Sequence, residues 1–147
     1  MKAGLVVGLA LLTSLCANPL PFTATFSTSA SQNVVVGERA QLVVKLTNTG
    51  PLIPHLGLVF RTADKWFERH TVSDLGGCTI AADASAFDCG DLGAGESASF
   101  LIVGTAKDAG AFHYELALRS LVRPFDYVNN HSDGAEVQTW DETVTKS

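Results

Sequence analysis

Charge of positive sign is scarce in this chain, with ten Lys+Arg against 15 Asp+Glu in 147 residues and a formal net charge of −5. The cations, among them Arg39, Lys45, Arg61, Lys65, Arg69, Lys107, Arg119, Arg123 and Lys146, are scattered among carboxylates. Nucleic-acid binding needs clustered Lys and Arg to displace counterions, so nucleic acid is not an expected partner. Cysteine is limited to Cys16, Cys78 and Cys89. Two cysteines in the body, without further Cys or paired His nearby, do not complete a tetrahedral zinc site. They are also too far apart for a C-x-x-C redox pair. No window combines capping residues with a 3.6-residue apolar stripe, so no helix is expected. Long apolar runs are confined to one place, residues 3–12.

That run follows Met1-Lys2 and ends in small and polar residues, which is the grammar of a secretory signal peptide. Asn18-Pro19 cuts it short of the roughly 20 apolar residues that a membrane helix needs. Cleavage is expected after Cys16 or Ala17, giving a leader of residues 1–17. Leu12-Thr13-Ser14-Leu15-Cys16 superficially resembles a lipobox, with Leu15 where that pattern wants a small residue. A membrane association is therefore expected only if Cys16 is lipidated. Export agrees with the remaining pair Cys78 and Cys89, which in an oxidising compartment is expected to form a disulfide.

The remainder alternates with period two. Ala40, Leu42, Val44 and Leu46 share one face, with Arg39, Gln41, Val43, Lys45 and Thr47 on the other. Leu56, Leu58 and Phe60 repeat the pattern, as do Ala98, Phe100 and Ile102, then Phe112, Tyr114, Leu116 and Leu118. Ala135 to Trp140 closes the series. Residues 18–32 read as a leader or an edge strand. That strand either pairs within its own sheet or adds to the edge of another copy. Residues 33–147 read as a single all-β, antiparallel β-sandwich of roughly seven short strands.

Turn chemistry separates these runs: Asn48-Thr49-Gly50-Pro51, Leu92-Gly93-Ala94-Gly95-Glu96-Ser97 and Asn129-Asn130. In this order, with Cys89-Gly90-Asp91 before the second and Asp126 and Ser132 flanking the third, these motifs resemble a bacterial surface repeat. It is the domain of unknown function eleven, with its cell-adhesion-related relatives. The resemblance spans about residues 33 to 145 and implies an immunoglobulin-like fold. It also implies a disulfide just before the Leu92–Ser97 turn.

Catalytic patterns are weak. Gly95-Glu96-Ser97-Ala98-Ser99 lacks the second glycine of a nucleophile elbow. His55, His70, His113 and His131 stand singly and read as solvated or hydrogen-bonded. Asp83, Asp88, Asp91 and Glu96 could offer oxygens to calcium, but no EF-hand spacing arranges them, and they read as a solvated acidic loop. No cofactor is expected. In Ala63 to His70, Trp66 and Phe67 are adjacent, so on a strand one would be core and the other exposed or half exposed. With Trp140 they are the candidate binding surface. The expected function is an exported, non-catalytic module of the cell envelope, secreted, periplasmic or surface-bound, acting in binding, adhesion or spacing. Its partners would be other envelope proteins or copies of itself. The alternative is a carbohydrate- or other small-ligand-binding module that uses exposed tryptophan, Trp66 or Trp140, as a stacking platform.

Overall fold

The computed structural model describes residues 20–131 and 134–147. The expected signal peptide and Cys16 lie outside them. Seven strands have five or more residues: β1 (Ala24–Ala30), β3 (Arg39–Asn48), β4 (Leu56–Phe60), β5 (His70–Asp74), β8 (Ser97–Ala106), β9 (Gly110–Ser120) and β12 (Gln138–Thr145). The alternation located six of them, with the last placed a few residues early, and did not pick out β5. Shorter pieces are β2 (Asn33–Val35), β6 (Thr79–Ile80), β7 (Ala86–Asp88) and the small hairpin of β10 (Asn130–His131) and β11 (Gly134–Ala135). One sheet runs β1-β3-β8-β5, the other β2-β12-β9-β4-β7-β6. Every pairing is antiparallel except β2 with β12.

Period two places the core as expected. Ala40, Leu42, Val44 and Leu46 of β3 are buried, and Ile102 of β8 joins them from the same sheet. Facing them across the sandwich are Leu58, Phe87, Leu116 and Leu118 of the second sheet. Two inner faces of this kind interdigitate to form one apolar layer.

The turn motifs act as stitches. The Asn48 side chain is buried and donates to the carbonyls of Pro51 (2.9 Å), Leu92 (3.0 Å) and Gly93 (3.1 Å), while its Oδ1 accepts from Gly50 N–H at 2.9 Å. One amide thus ties the first motif to the second. Gly50 is required there because a Cβ would lie 2.7 Å from Thr23 Oγ1 and 3.0 Å from its backbone nitrogen. Gly95 takes φ +77, the left-handed region where a Cβ is costly. Asn129 reaches back to the start of the sandwich. Its Oδ1 accepts from Ala24 N–H and its amide donates to the Ala24 carbonyl.

Of the expected leader or edge strand at 18–32, residues 20–32 are described, and they supply core side chains and an edge strand. Phe22 and Ala24 are buried, and β1 pairs with β3 of its own chain from Ala24↔Asn48 to Ala30↔Leu42. The chain also contains one helical turn that the alternation did not anticipate, α1 (Trp66–Arg69).

Candidate functional site

Cys78 and Cys89 are bonded, with an S–S distance of 2.06 Å. The aromatic surface expected from Trp66, Phe67 and Trp140 is not formed. Trp66 is fully buried and Trp140 is 9% exposed, while Phe67 is half-buried. One of the adjacent pair, Trp66, is core and the other, Phe67, is half-buried, as the strand argument had it, but they lie on the helical turn α1 and not on a strand. Phe60 is the hub instead, meeting Phe67, Phe87, Tyr114 and Trp140 edge to face at 5.9–6.3 Å. A glycan-stacking platform on these tryptophans is therefore excluded by burial.

The four carboxylates named for calcium turn into their own loops. Asp83 Oδ1 accepts from Ser85 N–H and hydroxyl, which holds its carboxyl below the usual range. Asp88 accepts from Gly90 N–H and bonds His55 Nδ1 at 2.9 Å, raising the imidazole above its ordinary value. Asp91 accepts from His55 N–H, and Glu96 from Gly93 N–H. Among the described residues, no group of three or more His, Cys, Asp or Glu side chains is placed to hold a metal ion.

One polar cluster lies inside the core, where sequence reasoning expected none. His70 of β5 and Glu142 of β12 are both buried, with Nε2 and Oε2 2.9 Å apart across the sandwich. His70 Nδ1 is 2.7 Å from the Trp66 carbonyl, which only accepts, so this nitrogen carries a proton. A single further proton then lies between Nε2 and Oε2, and the pair is neutral overall whichever atom holds it. Tyr114 donates to Glu142 Oε1 at 3.1 Å. Burial, then the adjacent carboxylate, pushes the tyrosine hydroxyl far above its ordinary range. The imidazole stacks on the Trp66 indole at 3.9 Å. The side-chain polar atoms of His70, Glu142 and Tyr114 thus find partners away from solvent, whereas the buried Trp66 Nε1 has none among the described residues.

The outer face of the second sheet carries a cluster of different character. Tyr127 pairs with Arg119 across an isolated bridge, and two guanidiniums lie over its ring, with Arg119 Cζ 5.1 Å and Arg61 Cζ 5.5 Å from the centroid. Arg119 Nε donates to the Phe125 carbonyl at 2.8 Å, and its guanidinium also lies over the Phe125 ring at 5.9 Å. Such cation–π contacts are worth about 0.5–1 kcal/mol each at exposed sites. Ala117 and Val59 are on this outer face by parity, yet both are buried. Phe125 is 45% exposed and sits at φ 64, a conformation that bulky residues avoid. Beside it is a hollow of about 360 Å³ lined by Val59, Asp83, Ser85, Arg119, Leu121 and Phe125. Among the described residues neither Arg61 nor Arg119 has an ion-pair partner within 4.0 Å; Arg69, by contrast, pairs with Asp64 and Asp108. Nothing in the sequence links Arg61, Arg119 and Tyr127, which come from different segments.

A wider, open trough of about 560 Å³ crosses β1, β3 and β8 on the outside of the first sheet. Its walls are the hydroxyls of Thr25, Ser27, Thr47, Ser97 and Ser99, with Lys45 as the one charged group.

No family model matches the chain, and no curated protein matches it. Solved structures do. A solution structure of a CARDB domain from Pyrococcus furiosus has a TM-score of 0.53 at 14% identity, covering 85% of this chain and 96% of that one. The crystal structure of that domain in complex with di-metal ions gives 0.51 at 13% identity, covering 86% and 96%. The likeness is one of fold. It bears out the all-β, immunoglobulin-like sandwich fold and does not reach the specific repeat family that the loop motifs resemble.

Proposed function

We propose that this chain is an exported, non-catalytic, adhesion-related β-sandwich module that binds a partner at the cell envelope through the Arg61–Tyr127–Arg119–Phe125 surface. The observation that carries this reading is that cluster. Arg, Tyr and Phe are the side chains that interfaces favour, and here they stand together on one outer face, with two guanidiniums that have no ion-pair partner within 4.0 Å among the described residues. The buried His70–Glu142–Tyr114 cluster supports a non-catalytic role, since its polar atoms are mutually bonded and closed to solvent. The Cys78–Cys89 bond and the apolar run of residues 3–12 support export to an oxidising compartment. The family resembled by the turn motifs, and the likeness in fold to CARDB domains, support adhesion or spacing at the cell surface.

The test is binding of the labelled protein to intact cells and isolated envelopes of the producing organism. Arg119→Ala and Tyr127→Ala are expected to weaken binding by about tenfold each, the scale of an interface hot spot. Lys45→Ala, on the opposite sheet, is the control and should bind normally. Equal binding by all variants would remove the Arg–aromatic surface from the proposal. If the unmodified protein binds neither cells nor envelopes, the binding role itself fails.

A further inference from the structure

The four sheet edges are not equivalent. β2 and β6 are three and two residues long, too short to template a partner strand. β5 is interrupted by a bulge between Val72 and Asp74 and carries the Asp74 carboxylate. Shortness, bulges and charge are the devices by which sheet edges avoid pairing with other chains. β1 has none of them. It is seven residues long, its register with β3 is unbroken, and its sequence, Ala-Thr-Phe-Ser-Thr-Ser-Ala, has neither charge nor proline.

The phase of the β1–β3 ladder identifies which groups are left open. Thr49 N–H donates to the Thr23 carbonyl and Ser31 N–H to the Gln41 carbonyl. In an antiparallel pair, hydrogen-bonded residues alternate with unbonded ones. The odd-numbered residues of β1 therefore bond β3, and the N–H and C=O groups of Phe26, Thr28 and Ala30 point away from the sheet. At Ala24 the same outward pair is satisfied by the Asn129 carboxamide, a side chain standing in for a neighbouring strand. Among the described residues nothing does this for Phe26, Thr28 or Ala30, and β1 stands at the end of its sheet.

We propose that this edge is a self-association surface, on which β1 of a second copy pairs antiparallel about a two-fold axis at Thr28. The inference is independent of the Arg–aromatic surface, which belongs to the other sheet. The register about Thr28 is self-complementary. It sets Phe26 opposite Ala30 of the second copy and Thr28 opposite its equivalent, with the open backbone groups of each strand facing those of the other. On the outer face Ser27 meets Ser29 of the second copy. No charge opposes another and no bulky pair collides, so two four-stranded sheets join into one of eight. A two-fold interface is closed and yields a dimer rather than a fibre.

Sedimentation of the exported protein over a concentration series tests this. The mass is expected to double as concentration rises, with the amides of Phe26, Thr28 and Ala30 exchanging about tenfold more slowly in the dimer. Thr28→Pro removes an N–H that faces outward and makes no bond within the molecule, a position where an edge strand tolerates proline. It should remain monomeric with unchanged circular dichroism. Ser27→Lys with Ser29→Lys sets like charges opposite one another and should weaken association by about tenfold or more. That variant decides the matter if Thr28→Pro does not fold. A wild-type protein that stays monomeric throughout, or a lysine variant that dimerises as the wild type does, overturns the proposal.

Discussion

Removing the Glu142 carboxylate strands two partners at once, the Tyr114 hydroxyl and His70 Nε2. Breaking a buried charged or shared-proton pair from one side costs about 3 kcal/mol or more, since the group left behind has no water to turn to. Glu142→Ala is expected to lose stability on that scale in urea titration. Glu142→Gln behaves differently. A glutamine carbonyl still accepts from Tyr114, its amide donates to a His70 protonated at Nδ1 alone, and the cluster stays neutral. Its stability should fall by about 1 kcal/mol or less. Identical midpoints for the two variants would mean that hydrogen bonding to this carboxylate contributes nothing to the fold.

Asn48 acts at the scale of the elements, since its side chain joins the end of β3 to the turn that opens β8. Asn48→Ala leaves a buried set of carbonyls without their donor and is expected to cost about 3 kcal/mol. Asn48→Asp should cost more, because an acceptor would then face the carbonyls of Pro51, Leu92 and Gly93. Thermal unfolding of both variants checks the order, and a milder loss for Asp would show that donation to those carbonyls is not what holds the turns. Strand parity was legible in the sequence wherever one face is apolar and the other polar, as in β3. The turns were legible because Gly, Asn and Pro have few other uses. The helical turn at Trp66 was missed because α1, four residues long, is too short to show a helical period. Glu142 and His70 sit in polar company along the chain and meet only through a separation of 72 residues, which no local pattern encodes. Arg61, Arg119 and Tyr127 are brought together by β4, β9 and the loop after it, so that surface exists only once the sheet has formed.

For the whole molecule, the Cys78–Cys89 bond closes a short loop around the β6–β7 hairpin at one edge of the second sheet. Cys78→Ser with Cys89→Ser should lower stability by about 3 kcal/mol, the loop-closure scale, and leave β-rich circular dichroism unchanged. Loss of the folded spectrum instead would show that the bond is required for the hairpin to form at all. The parallel pairing of β2 with β12 has a different kind of consequence. Here the first strand of the second sheet and the last strand of the chain run in the same direction, joined from Gln32 to Thr143 and from Thr145 to Val36. Tension applied between Asn33 and Thr145 drags these strands in opposite senses along their common axis. The rungs between them are then loaded together in shear rather than peeled one at a time, so this short pair resists tension as a unit.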